Sequence, residues 1–386
     1  MTHSVSRSGA AALLLAASVA TLAAPQAARL GAFSQATDVG EVSRPLEASH
    51  EPATGVYTLS AGGENIWGSH DAFGFVWKSV RGELAFGTRV EIASGGHAHR
   101  KAGIMLRQSL DADSPYVDAV VHGDGLTSLQ FRLEAGGPTR EIQCATRAPA
   151  LLRLEKRGDY VFLSLANPEG SYDSSGCVVR IALRGNFYAG LVACAHDDSA
   201  VVTARFRHVT LGTLPGRPKA ITYALELIDR ESLDRRVLAI SRTRIDAASF
   251  TANGEAICYR DEGNVMRLAL TPGAEPVPID PADAAACEVA FAPGIRSQDL
   301  PAAAARRARA WLPRRSPDGL NVAYLLASGR GDGPRPEAGD YVLATIAAGG
   351  GEPEELARFH GDHGALGLAP WSKDGAQLVF VSREPD

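Results

Sequence analysis

The sequence predicts an all-β protein, a two-sheet sandwich followed by a second module that carries an internal repeat. Three observations predict it. Residues 30–212 break into short runs in which apolar and polar residues alternate, the period of half-buried strands. Turn clusters such as Gly123-Asp124-Gly125 and Gly136-Gly137-Pro138 separate those runs, and no helical period of useful length interrupts them. After a Pro/Gly-rich stretch, an (Asn/Asp)-Gly segment recurs three times in one register.

The first set of runs includes Val56–Leu59, Phe73–Trp77, Ala85–Ile92, Ala102–Arg107, Tyr116–Val121 and Leu129–Leu133. It continues with Leu151–Glu155, Tyr160–Leu165, Phe187–Val192 and Ala204–Leu211. Ten or more such strands argue for two packed sheets. Leu214-Pro215-Gly216-Arg217-Pro218 marks a linker over 213–221. The repeats come next, at Phe250–Tyr259, Arg315–Tyr324 and Trp371–Phe380. Each places an apolar residue four positions after its Asn or Asp and an aromatic at six. Even offsets put both on one strand face, and the Asn-Gly or Asp-Gly pair supplies the positive φ of a tight turn. Such a repeat marks propeller or solenoid architecture. The Asn/Asp positions lie 65 and 56 residues apart, wider than the ~40–50 of an ordinary propeller blade.

With 386 residues the chain suits two domains, and 45% hydrophobic residues support real cores. A net charge of −5 mixed over both signs gives no electrostatic case for nucleic acid. Gly9 to Ala24 is almost wholly apolar but falls short of the roughly 20 residues of a spanning helix. A signal peptide over residues 1–28 is expected, cleaved between Ala23 and Ala28, which implies a periplasmic or secreted protein without a membrane span after its removal. Five cysteines, an odd number without C-x-x-C, leave at least one unpaired within the chain.

Trp371-Ser372-Lys373-Asp374-Gly375 and Ser316-Pro317-Asp318-Gly319 resemble the repeats of TolB-like β-propellers, and Asn253-Gly254 is a weaker copy. Tyr341–Gly350 resembles the strand and Gly-Gly turn that precede a new blade, and Leu225–Leu238 resembles the propeller's opening strands. About 165 residues hold about four blades at the usual period, fewer than the family's about six, so the resemblance over 222–386 implies a partial or degenerate propeller. The stretch Gly63–Lys78, with His99–Asp113 and His122–Arg132, resembles the concanavalin-like (LamG-like) jelly-roll sandwich that precedes such propellers in bacterial proteins. That resemblance covers nearly all of 30–212.

Candidate site residues concentrate in the sandwich. Trp67 and Trp77 offer aromatic faces for sugar stacking, and Arg107, Asp124, Gln130 and Arg132 offer hydrogen bonds. Gln130 and Arg132, two apart, share a strand face, while Leu129, Phe131 and Leu133 point to the core. The competing reading makes the tryptophans core and lets the arginines pair across strands with Glu134, Glu141 or Asp118. His97-x-His99 and His196-Asp197-Asp198 each fall short of a coordination set, so no metal or other cofactor is expected. Arg306, Arg307, Arg309, Arg314 and Arg315 read as a solvated basic insertion. The hydrolase, metalloprotease and P-loop motifs are absent, as is a close run of carboxylates on one strand. These features suggest an exported, non-enzymatic binding or scaffold protein. Its sandwich engages a glycan or a protein surface, and its propeller engages an envelope protein partner. The alternative is a carbohydrate-active enzyme of the glycoside hydrolase kind with its site on the sandwich face.

Overall fold

The computed structural model describes residues 1, 30–93, 95–148, 151–166, 171–216, 221–271, 273–279, 287, 310–327, 338–362, 364–367 and 369–385. The expected signal peptide and Arg306, Arg307 and Arg309 lie outside the described residues. All the described elements are strands. The first module holds β1 (Gln35–Val39), β2 (Glu47–Glu51), β3 (Val56–Ala61), β4 (Asn65–Trp67), β5 (His70–Arg81), β6 (Leu84–Ile92), β7 (Lys101–Arg107) and β8 (Tyr116–His122). It continues with β9 (Thr127–Arg132), β10 (Arg140–Gln143), β11 (Leu151–Arg157), β12 (Tyr160–Ala166), β13 (Tyr172–Arg180), β14 (Asn186–Cys194) and β15 (Val202–Gly212).

These strands make two sheets. One runs β1-β5-β14-β7-β8-β9-β10, and the other β13-β12-β11-β6-β15-β3-β2. Their facing sides bury Leu59, Phe86, Leu154 and Phe206 against Leu106, Leu129, Phe131 and Leu191. Each such side chain contributes about 1.5–3 kcal/mol by leaving water. Strand parity holds for Leu129 and Phe131, which join this core. It fails for Leu133, which lies just past the end of β9 and is exposed. The first sheet is apolar on its outer side as well: Phe73, Phe75, Met105, Tyr116 and Val192 pack there under Val39 and Ile66. Burial on both faces explains why β7, β8 and β9 carry no exposed residue.

The second module holds β16 (Tyr223–Asp229), β17 (Arg235–Ser241), β18 (Ile245–Phe250), β19 (Ala256–Asp261), β20 (Asn264–Ala269) and β21 (Val277–Pro278). Then come β22 (Ala310–Arg315), β23 (Asn321–Ala327), β24 (Ala338–Ala347), β25 (Glu354–Asp362) and β26 (Gln377–Arg383). β18–β21 and β22–β25 are four-stranded antiparallel sheets. Between them lies a sheet in which the last strand, β26, pairs with the first, β16, beside β17. Its two faces are both covered. Leu225, Leu227, Val379 and Val381 pack toward Phe250, Ile257 and Tyr259, whereas Ile228, Leu378 and Phe380 pack toward Trp311, Tyr341 and Phe359. Cys258 in β19 is disulfide-bonded to Cys287, while Cys144, Cys177 and Cys194 are free and buried.

The sandwich sheet does not stop at the linker. β10 pairs in parallel with β17 through Ile142 and Gln143, so one eleven-stranded sheet spans both modules. Arg314 also departs from expectation. It is buried in β22 and donates to the Gly367 carbonyl at 2.6 Å; its neighbour Arg315 is exposed.

The three repeats adopt one turn. Gly254, Gly319 and Gly375 have φ of 78°, 73° and 72°. Each glycine N–H donates at 2.9 Å to the carbonyl of Thr251, Ser316 or Ser372. In each turn that residue's hydroxyl donates to Asn253, Asp318 or Asp374 at 2.7, 2.5 or 2.6 Å. The Asn or Asp oxygen then caps the N–H two residues on. Replacing Gly375 by Ala puts a side chain in the left-handed region and should lower the second module's stability by roughly 1 kcal/mol, read by calorimetry. An unchanged melting profile would overturn the assignment of a conformational role to this glycine.

Candidate functional site

Parity brings Arg107, Gln130 and Arg132 to one face of the sandwich, as expected, but that face is closed. Arg107 and Arg132 are both fully buried. Their partner is Asp71 in β5, a residue that no sequence pattern singled out. Arg132 grips it with two donors at 2.8 Å, and Arg107 reaches it at 3.3 Å. The remaining donors go to loop carbonyls. Arg132 donates to Gly68 at 3.0 Å and Gly137 at 3.0 Å. Arg107 donates to Ser109 at 2.7 Å and Asp111 at 2.5 Å. Tyr116 lies beneath both guanidinium groups, 5.1 Å from that of Arg132. Three loops are thereby tied over the sheet, and neither arginine keeps surface for a ligand. None of Glu134, Glu141 and Asp118 pairs with them.

The other candidates divide between this network and its rim. Gln130 is buried, accepting from Lys101 at 3.3 Å and donating to Glu141 at 3.4 Å. Lys101 also donates to the Ile66 carbonyl at 3.2 Å and sits 5.8 Å from the Trp67 ring. Burial pushes the Lys101 ammonium down and the Asp118 carboxyl well up, so each is driven toward its neutral form. Trp67 is half-buried over the lysine. Trp77 stacks edge-on with Tyr188 at 4.8 Å and donates to Thr37. Asp124 lies apart from the arginines, exposed in the β8–β9 turn, where it caps Leu126 and pairs loosely with Arg147 at 3.6 Å.

An open site lies instead between the modules. A cleft of about 430 Å³ is bounded by Tyr160, Arg180 and Arg184 of the sandwich and by Asp340, Arg358, Phe359 and His360 of the second module. Asp340 organises it. Arg180 donates to it at 3.1 Å, His360 Nδ1 lies 3.0 Å away, and the Tyr160 hydroxyl donates to it. Burial alone would raise the Asp340 carboxyl, but the bonds from His360 and Tyr160 and the charge of Arg180 outweigh it and hold the group ionised. The Tyr160 and His360 rings meet edge to face at 6.1 Å. Arg184 pairs with Asp159 at 2.7 and 2.9 Å while staying largely exposed. No local pattern marks these residues in the sequence, because Tyr160 and Asp340 are 180 positions apart.

Beside the β10–β17 seam, Asp234 lies close to Glu141. Asp234 accepts from the Glu141 backbone N–H at 3.4 Å. Burial, and then the Glu141 charge, push it up to about 6.

Searches against protein-family models and against curated protein sequences give no match. Among solved structures, the chain is similar to a functionally unknown protein from Saccharomyces cerevisiae, at 15% identity and a TM-score of 0.38, over 47% of this chain and 98% of that one. It is similar to the carbohydrate binding module CBM66 from Bacillus subtilis, at 16% and 0.33, over 47% and 98%. It is also similar to Bacillus licheniformis β-glucanase, at 9% and 0.31, over 47% and 91%. A binding module and an enzyme stand side by side in that set, so it does not choose between binding and catalysis.

The buried charges set two expected outcomes. Asp71→Ala leaves two buried guanidiniums without their counter-charge and should destabilise the sandwich by about 3–5 kcal/mol, measured by denaturant unfolding. Wild-type stability would show that the cluster tolerates the loss. Asp234 has a folded-state pKa above its ordinary 3.8, so its ionisation weakens the fold as pH rises through about 6. Asp234→Asn should therefore raise the melting temperature at pH 7.5, and the gain should fade as pH falls to about 4. A gain independent of pH would contradict this.

Proposed function

We propose that the chain is an exported, non-enzymatic binding protein that holds a glycan in the cleft between its modules. The second module, in this reading a shortened propeller, offers its outer surface to an envelope protein partner. The lining of the cleft carries the reading. Tyr160 and His360 supply aromatic surface beside Arg180, Arg184, Arg358, Asp159 and Asp340, while Phe359 at the cleft wall is buried in the core. Sugars are held by that combination of ring faces and planar hydrogen-bonding groups. The ion pairs of Arg180, Arg184 and Arg358 are exposed on the arginine side, and such pairs contribute about 0–1 kcal/mol. Ligand hydroxyls can replace them at little cost.

Catalysis is less well supported. A glycosidase needs a carboxylic acid whose pKa is raised so that it can protonate the leaving oxygen. Asp340 is shifted the other way. The face that carries Arg107, Gln130 and Arg132 is closed over those residues and offers them no open surface. The apolar Gly9–Ala24 stretch supports export, and the Cys258–Cys287 disulfide suits an oxidising compartment. Stacked antiparallel sheets sharing one turn, with β26 returning to β16, support the propeller reading.

A glycan array probed with the full chain, followed by titration of a retained glycan, tests the proposal. Arg184→Ala and Arg358→Ala alter exposed side chains and should leave the fold intact. Each should weaken binding about tenfold, the equivalent of ~1.4 kcal/mol. An array with no retained glycan defeats the glycan reading. Undiminished binding by both variants removes the site from the cleft.

A further inference from the structure

Two short histidine motifs, each insufficient alone, meet at one end of the sandwich. His97 and His99 stand on the loop between β6 and β7, and His196 stands on the loop after β14. His122 ends β8 directly below, paired in register with Lys101. The His99 ring lies 5.6 Å from that of His196 and 5.9 Å from that of His122, centre to centre. Imidazoles sharing one metal at nitrogen–metal distances of about 2.0–2.1 Å have ring centres roughly 5 Å apart. His122 is only 5% exposed, and neither of its ring nitrogens has a hydrogen-bond partner. His196 Nδ1 is likewise buried without a partner. A buried imidazole left this way is unsatisfied, and the one unprotonated nitrogen of each neutral ring can give its lone pair to a ligand.

We propose that His99, His122 and His196 form a binding site for a divalent transition metal of the zinc class, with a fourth coordination position open to solvent. Imidazole nitrogen selects such ions over magnesium and calcium, which prefer oxygen. Among the described residues no three donors yet converge on one point, so binding requires rotation of His99, which is exposed, and of His196. His97 is a supporting group. Its Nδ1 already accepts the His99 backbone N–H at 3.1 Å, and its ring stacks on His196 at 4.3 Å. Arg100 fixes the loop by donating to the His97 carbonyl at 2.8 Å and the Ala93 carbonyl at 3.1 Å. Charges around the site are mixed: Lys101 opposes a cation, while Asp124 and Asp197 favour one.

Calorimetric titration of the full chain, free of any affinity tag, with Zn²⁺ at pH 7.5 tests the site. One saturable site per chain is expected, with a raised melting temperature and no matching response to Mg²⁺. Co²⁺ should give the visible absorption of a low-coordinate nitrogen site. His99→Ala changes an exposed side chain and should weaken Zn²⁺ binding tenfold or more; His99→Ala combined with His196→Ala should abolish it. Absence of saturable Zn²⁺ binding overturns the proposal, as does binding unchanged in the His99→Ala protein.

Discussion

The carboxylate of Asp71 is the constraint on which the sandwich depends. Bringing two guanidiniums and a carboxylate out of water costs several kcal/mol per ion, and the loss is recovered only when the geometry is good and the remaining donors find acceptors. Here they do. Apart from the Met105 sulfur, the guanidinium hydrogen bonds beyond Asp71 end on carbonyls or hydroxyls from the segments around Gly68, Ser109–Ser114 and Gly137–Thr139, so satisfying the charges requires those segments to fold over β7, β8 and β9. Asp71 binds its own N–H to the Ala112 carbonyl at 2.9 Å, joining two of the segments directly. The outer face of this sheet thus becomes a second interior, with Phe73, Met105 and Tyr116 as its apolar floor.

A sheet filled on both faces is stiff, and its free edge is where the second module attaches. At β10 that edge is taken by β17. Glu226 then holds Arg235 at 2.7 and 2.8 Å and accepts from Ser382, fastening β16, β17 and β26 in one plane. The second module is therefore docked through main-chain pairing and not through the linker alone. The cleft forms beside that docked seam, and Tyr160 and Arg180 bridge its walls to Asp340.

What was legible in the sequence was what is local. The Asn253, Asp318 and Asp374 turns could be read because all their hydrogen bonds fall within six residues. Parity correctly assigned Gln130 and Arg132 to the face opposite Leu129 and Phe131. Parity says which residues share a face, however, and not whether that face meets water. Its cover comes from Ile66 and Asp71, some sixty residues upstream of Arg132, and nothing at positions 127–132 announces it. The same limit hid the β10–β17 and β16–β26 pairings, the cleft and the meeting of two histidine loops. Arg314 shows the converse error. A run of arginines reads as solvated, but a single member on an inward strand position can be buried once a carbonyl such as that of Gly367 receives it.

The contrast between buried and exposed arginines also orders the surfaces by what they can bind. Displacing the Asp71 partner from Arg107 or Arg132 would strand a buried charge at several kcal/mol, more than a handful of sugar hydroxyls returns. Displacing Asp159 from Arg184 forfeits little, because water and salt already compete for that pair. A protein that locks one set of arginines behind loops and leaves another set weakly paired beside aromatic rings has separated its structural charges from its exchangeable ones. The weakly paired arginines of the cleft are thus the ones a ligand could reach without stranding a buried charge, while the sequence cluster around Arg107 and Arg132 serves the architecture.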